Sequence, residues 1–132
     1  MADTMQFDLV SPERRLASVQ AREVRIPGAD GDLTAMPDHA PVITTLRPGI
    51  LALFTAEVQP SDAVTGGFPY ITGEATSVLA GLAMPVGEMT AADADVLIAV
   101  ASDAAAKATA ENRDAADKLV ADLQALKAAA GL

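Results

Sequence analysis

A chain of 132 residues with a formal net charge of −9 has room for one core and an appendage, and its charge opposes phosphate backbones and anionic lipid headgroups, so nucleic-acid binding is excluded as a leading reading. The absence of cysteine removes disulfide frameworks, thiol chemistry and thiolate zinc sites. Hydrophobic residues make up 51%, but with one Tyr, three Phe and no Trp the core must be assembled from Val, Leu, Ile, Ala and Met.

In chain order, Met1 to Val10 carries no Lys or Arg ahead of its apolar residues, so neither a secretory signal nor an Arg-rich transit peptide is legible and a bacterial cytoplasmic product is expected. From Met5 to about Ala80 short apolar runs alternate with Pro and Gly, the spacing of an all-β sandwich. Phe7 and Leu9 alternate with polar neighbours, as do Val24 and Ile26; further runs are Ile50 to Phe54, Ala63 to Thr65, Tyr70 to Thr72 and Thr76 to Ala80. Pro27-Gly28, Pro48-Gly49, Gly66-Gly67 and Gly73 separate them, residues that interrupt ladders or supply positive φ. The longest nearly unbroken apolar run, Val78 to Val86, is far short of the roughly 20 residues a spanning helix needs, so membrane association is expected through partners alone.

Beyond Pro85 and Gly87 the composition changes. Ala91 to Ala130 is dominated by Ala and contains neither Gly nor Pro, which predicts helix throughout. Thr90 with Asp93 reads as an N-cap and an acid at the third helical position. The polar cluster Glu111-Asn112-Arg113-Asp114, followed by Leu119, Leu123 and Leu126 at helical spacing, predicts two helices turning at Asn112, with one long helix as the rival arrangement. The large apolar residues of this stripe are few, so it should hold its partner weakly and form a detachable tail. The expected architecture is mainly β plus α: a sandwich of about ten short strands over residues 1–88, then an antiparallel two-helix hairpin over residues 89–132.

Four segments in order carry a family signature: Val10-Ser11-Pro12-Glu13-Arg14; Pro27-Gly28-Ala29-Asp30-Gly31-Asp32-Leu33-Thr34-Ala35-Met36-Pro37-Asp38-His39-Ala40-Pro41; Leu46-Arg47-Pro48-Gly49; and Val64-Thr65-Gly66-Gly67-Phe68. Over the first two-thirds of its length the chain resembles the epsilon subunit of bacterial F-type ATP synthases; the helical remainder agrees in architecture. The resemblance implies a non-catalytic rotor-stalk subunit of a proton-translocating synthase. Its partners would be the gamma subunit and the c-ring, with the catalytic alpha and beta subunits as further partners through the tail, on the cytoplasmic face of the bacterial inner membrane. It implies a c-ring contact loop at Asp30, Gly31, Asp32, Pro37, Asp38 and His39. Gly28 and Gly31 would shape its turns, while Pro37 and Pro41 hold His39 on a stiff excursion. Asp38 stands where the family usually has Gly; should the position need positive φ, Asp tolerates it better than most residues. Gly66 and Gly67 would bend the backbone, Phe68 would plug a sheet face, and Pro69, lacking a ladder donor, would mark an edge or bulge.

Reaction chemistry has little to stand on. His39 is the sole His, too few for a His-based metal site or a catalytic triad, and an exposed loop histidine is the plainer reading. Asp30-Gly31-Asp32 resembles the opening of a calcium loop, but Leu33, Thr34 and Ala35 lack the ligand spacing. The glycines form neither a phosphate loop nor a dinucleotide fingerprint, and Glu13, Glu23, Glu57 and Glu74 are not spaced as an acid–base pair. No catalytic residue, cofactor or metal ligand is therefore assigned. Some relatives bind ATP through a motif like Ile-Asp-x-x-Arg-Ala; here Asp95 persists but the Arg position holds Ile98, which cannot pair with phosphate. Lys107, Arg113, Lys118 and Lys127 are outnumbered by seven acids from Ala91 onward, and that net negative tail opposes docking on an acidic catalytic subunit, so weak or absent self-inhibition is expected. An ATP-sensing regulatory module and a free-standing β-sandwich ligand-binding module are the alternatives. The second conflicts with the scarcity of aromatic platforms.

Overall fold

The computed structural model describes residues 3–38, 40–56 and 59–132; His39 and Glu57 lie outside them. Eight strands, β1 (Met5–Val10), β2 (Arg15–Ala21), β3 (Glu23–Gly28), β4 (Gly31–Ala35), β5 (Val42–Ile43), β6 (Gly49–Phe54), β7 (Ser61–Ile71) and β8 (Ala75–Pro85), precede a short 3-10 turn (Val86–Glu88) and two helices, α1 (Ala91–Lys107) and α2 (Arg113–Ala129). The strands run β2-β1-β8-β7-β6-β3-β4 in one hydrogen-bonded sheet, with β5 also pairing β7. All pairs are antiparallel except β1 with β8.

Alternation explains the core. Met5, Phe7 and Leu9 of β1 are buried together with Val24 and Ile26 of β3, Leu51 and Leu53 of β6, and Val78 of β8. Residues from both ends of the strand order thus meet in one cluster, which means the sheet folds over itself into a sandwich.

The hinge of that folding is Gly66-Gly67, at φ +62° and +89°. On β7 the buried positions change parity there, from Val64 to Pro69 and Ile71, and on β8 from Val78 and Ala80 to Ala83, while the pairing of the two strands stays in register on both sides. A Cβ on Gly67 would overlap the Leu79 carbonyl oxygen and lie 2.9 Å from Ala80 Cα. The strands touch backbone to backbone at the bend, and only glycine fits.

Two expectations are corrected by this bend. The strand count is eight rather than about ten among the described residues, because Ala63–Thr65 and Tyr70–Thr72 are halves of one strand that its glycines bend without breaking. Phe68 does not plug a sheet face: the parity change turns it outward, 45% exposed, and places Pro69 inside. Pro69 pairs with Val78 of β8, and on its other side it faces the break between the β5 and β6 pairings, a local edge at which a missing donor is tolerated.

The hairpin forms as its sequence dictates. The Thr90 hydroxyl accepts from the Asp93 N–H at 3.1 Å, and the Asp93 carboxylate accepts from the Thr90 N–H at 3.0 Å, a capping box that starts α1. Asn112 occupies the N-cap position of α2, so the chain turns where the polar cluster lies and the single-helix alternative is set aside. The hairpin lies on the outer side of β6, β7 and β8, where Ala63, Met89, Ala94, Ala101, Leu123 and Leu126 form a second cluster with Ile50 and Met84. Lys127 reaches Asp95 across the hairpin at 2.7 Å, an exposed pair of small worth. Alanine dominates the buried side of α1, so the apolar area that holds the hairpin down is modest.

Candidate interaction surfaces

The residues expected to act together are split by β4. Asp30 and Gly31 occupy the β3–β4 turn, with Gly31 at φ +141° and Asp32 on its C-terminal side. Pro37 and Asp38 lie past the other end of the strand. Asp32 lies near the start of β4, and Asp38 lies in the turn beyond the strand's end at Ala35. Asp38 adopts φ +66°, the left-handed conformation for which its family position favours Gly, and its N–H donates to the Gly73 carbonyl at 2.8 Å, which ties this loop to the β7–β8 turn. His39 cannot be placed with either group, since it is outside the described residues.

The β3–β4 turn has its own scaffold. Arg47, whose role the sequence motif does not disclose, pairs with Asp32 and donates from Nη1 to the Gly28 carbonyl at 2.6 Å. Asp30, Gly31 and Asp32 are all exposed. They present two carboxylates at one corner of the sandwich.

A second surface was not legible in the sequence. Phe68 and Leu79 sit opposite each other on β7 and β8, and Ile43 sits opposite Tyr70 on β5 and β7. All four are exposed, Ile43 by 70% and Tyr70 by 51%. They share the outer face of the sheet beyond the part that the hairpin covers, and an apolar hollow of about 360 Å3 against Val10, Pro12 and Gly81 continues it. Between the middle of the hairpin and the bend of β7, Val100 and Leu119 line a further apolar hollow of about 350 Å3 with Gly66. Contiguous exposed apolar residues of this kind mark protein–protein contact.

The junction between sandwich and hairpin holds the one ionisable group, among the described residues, whose proton affinity is clearly displaced. Asp62, 7% exposed at the start of β7, has its carboxyl raised above the ordinary value by burial, against the pull of the Arg14 guanidinium and with the push of the Glu88 carboxylate. Arg14 and Glu88 pair at 3.7 Å, linking the β1–β2 turn to the segment that leads into α1. A raised folded-state value means that the folded chain binds this proton more tightly than the unfolded chain, so its contribution favours folding at low pH and is lost as pH rises from the ordinary value of 3.8 through the raised one. Asp62→Asn is therefore expected to raise the melting temperature at pH 7 and to lose that advantage near pH 3.8. Calorimetric melts of both proteins at the two pH values check this.

Of the positions weighed for nucleotide sensing, Asp95 is engaged by Lys127, and Ile98 packs half-buried against the cluster beneath the hairpin. Among the described residues no group of His, Cys, Asp or Glu is arranged to hold a metal ion, and no helix is long and apolar enough to cross a membrane.

Comparison with known proteins places these surfaces in context. Residues 4–86 match the family described as ATP synthase, Delta/Epsilon chain, beta-sandwich domain. The chain is 60% identical over 131 residues to the ATP synthase epsilon chain of Fuscovulum blasticum, covering 99% of each, and 56% identical over 126 residues to that of Rhodobacter capsulatus, covering 96% of each. Its fold is similar to a chain in the Euglena gracilis mitochondrial ATP synthase structure comprising OSCP, F1 and c-ring, with a TM-score of 0.74 at 16% identity over 98% of this chain and 82% of that one. A chain of the Tetrahymena thermophila central stalk and c-ring structure aligns with a TM-score of 0.56 at 17% identity, covering 66% of this chain and 70% of that one.

Proposed function

This chain belongs to the epsilon-chain family of the ATP synthases, and on that premise we propose that its outer sheet face seats it on the gamma subunit while the β3–β4 turn meets the c-ring. It is a non-catalytic subunit of the central stalk, and its work is mechanical: it joins the ring that proton flow turns to the shaft that drives ATP synthesis. The observation that carries the reading is the exposed set Ile43, Phe68, Tyr70 and Leu79 on paired strands. A stalk protein needs a rigid apolar face, and a sheet supplies one whose side chains lose little freedom on docking. The exposed carboxylates of Asp30 and Asp32 suit the polar loops of a ring, and Pro37 and Asp38, past the other end of β4, offer a second contact to it. The complex sits on the cytoplasmic face of the bacterial inner membrane, and this chain is peripheral to it.

The hairpin reading follows from charge. With seven acids against four bases from Ala91 onward, extension toward an acidic catalytic subunit is opposed, and Asp95 is engaged by Lys127. Removal of residues after Met89 is expected to change the ATPase rate of the assembled enzyme by less than about twofold, because like charge disfavours the blocking position; a large release of activity would contradict this. The wider reading is tested by solubilising membranes from cells that make a tagged chain. Gamma and the c-ring should be recovered with it in fixed stoichiometry, and a tagged chain recovered alone would overturn the assignment.

A further inference from the structure

We propose that Arg47 is the positioning residue of the β3–β4 turn, holding the turn's backbone and aiming Asp32 at the partner. The inference rests on the reading that this turn meets the ring. The guanidinium spans two acceptors of different kinds: Nη1 donates to the Gly28 carbonyl at 2.6 Å and Nη2 pairs with the Asp32 carboxylate. The same segment is strapped to the turn through its backbone. Arg47 N–H donates to the Pro27 carbonyl at 3.0 Å, Ala29 N–H donates to the Thr45 carbonyl at 2.8 Å, and Gly28 forms an antiparallel bridge with Leu46. The two side chains are unequally exposed, 27% for Arg47 against 77% for Asp32. Arg47 is therefore the anchored member and Asp32 the presented one.

Arg47 and Asp32 border a hollow of about 250 Å3 together with Pro27, Pro48 and Ile50 of the sandwich and Asp122 and Leu126 of α2, so this pair lies near the docked hairpin. A planar fork reaches a carbonyl and a carboxylate at once; an ammonium is a point charge that serves one of them well. The turn consequently offers the ring a carboxylate already fixed in direction and partly neutralised, which suits a polar, hydrogen-bond-donating loop rather than an isolated cation.

The test uses the full chain, free and assembled in membrane vesicles, with Arg47→Met, Arg47→Lys and Asp32→Asn. In Arg47→Met, amide exchange from Gly28 to Asp32 is expected to quicken at least about fivefold, with β1 and the hairpin unchanged. Arg47→Lys should recover roughly half of that protection. ATP-driven proton pumping should fall below about half in Arg47→Met through loss of pre-organisation. Asp32→Asn keeps an acceptor for Arg47, so its exchange stays near the parent's while its pumping falls through the lost charge. Unchanged exchange in Arg47→Met, or a rise spread over the whole sandwich, overturns the positioning role. Local quickening with pumping unaffected supports that role and instead removes the turn from the ring contact, so the two failures are distinguishable.

Discussion

Phe68→Glu is expected to abolish stable retention of this chain by gamma while leaving the chain itself folded. Phe68 is 45% exposed and points away from the sandwich core, so the substitution creates neither cavity nor clash. In a complex the glutamate would be driven into an apolar contact against Leu79 and Tyr70, and an unpaired buried carboxylate costs several kcal/mol. A loss of ~3 kcal/mol corresponds to an affinity lower by about 100-fold. Titration calorimetry of purified gamma against parent and variant reads the difference, and melting temperatures within about 2 °C of each other establish that only the surface has changed. Phe68→Tyr keeps the ring area and should bind nearly as the parent does. Comparable affinity for Phe68→Glu would move the gamma contact elsewhere on the molecule.

Gly67→Ala carries the largest expected effect on stability. At φ +89° a side chain is already strained, and the added Cβ would meet the Leu79 carbonyl and Ala80 Cα of the neighbouring strand. Backbone cannot step aside as a flexible side chain can, so the strands must part at the bend on which the sandwich folds. Strain and separation together are expected to cost about 3 kcal/mol or more, which for a domain of this size lowers the melting temperature by roughly 10–20 °C. Gly66→Ala, at φ +62° with open space around its Cβ, should cost only about 1 kcal/mol of left-handed strain. Gly87→Ala, with nothing nearby and no positive φ, should be near neutral. Thermal melts of the three variants should fall in that order, and a Gly67→Ala protein as stable as Gly87→Ala would refute the backbone contact at the bend.

That bend also explains what could be seen in the sequence and what could not. The change from strands to helices was legible because Ala91 to Ala130 contains neither Gly nor Pro, and the start at Thr90 because a capping box is a local device. Core membership of Phe7, Leu9, Val24 and Ile26 was legible from strict alternation. The exposure of Phe68 was not, since the parity of β7 reverses at Gly66-Gly67 and no local pattern announces which face a strand presents after two left-handed residues. For the same reason two strand-like runs read as separate strands when the backbone only bends between them. The contact loop was read as one unit because Asp30 to His39 is contiguous in sequence, whereas β4 carries Asp32 and Asp38 apart. Arg47 lies within the Leu46-Arg47-Pro48-Gly49 motif, but its role depends on a partner 15 residues away in sequence, a distance over which periodicity says nothing.

In the assembled synthase the outer sheet face is expected to be buried against the shaft. Hydroxyl-radical footprinting of the free chain and of the intact complex measures this at the side chains themselves. Phe68, Tyr70 and Leu79 should be labelled in the free chain and strongly protected in the complex, with exposed Val19 on the far strand labelled in both. Equal labelling of Phe68 and Tyr70 in the two states would contradict it.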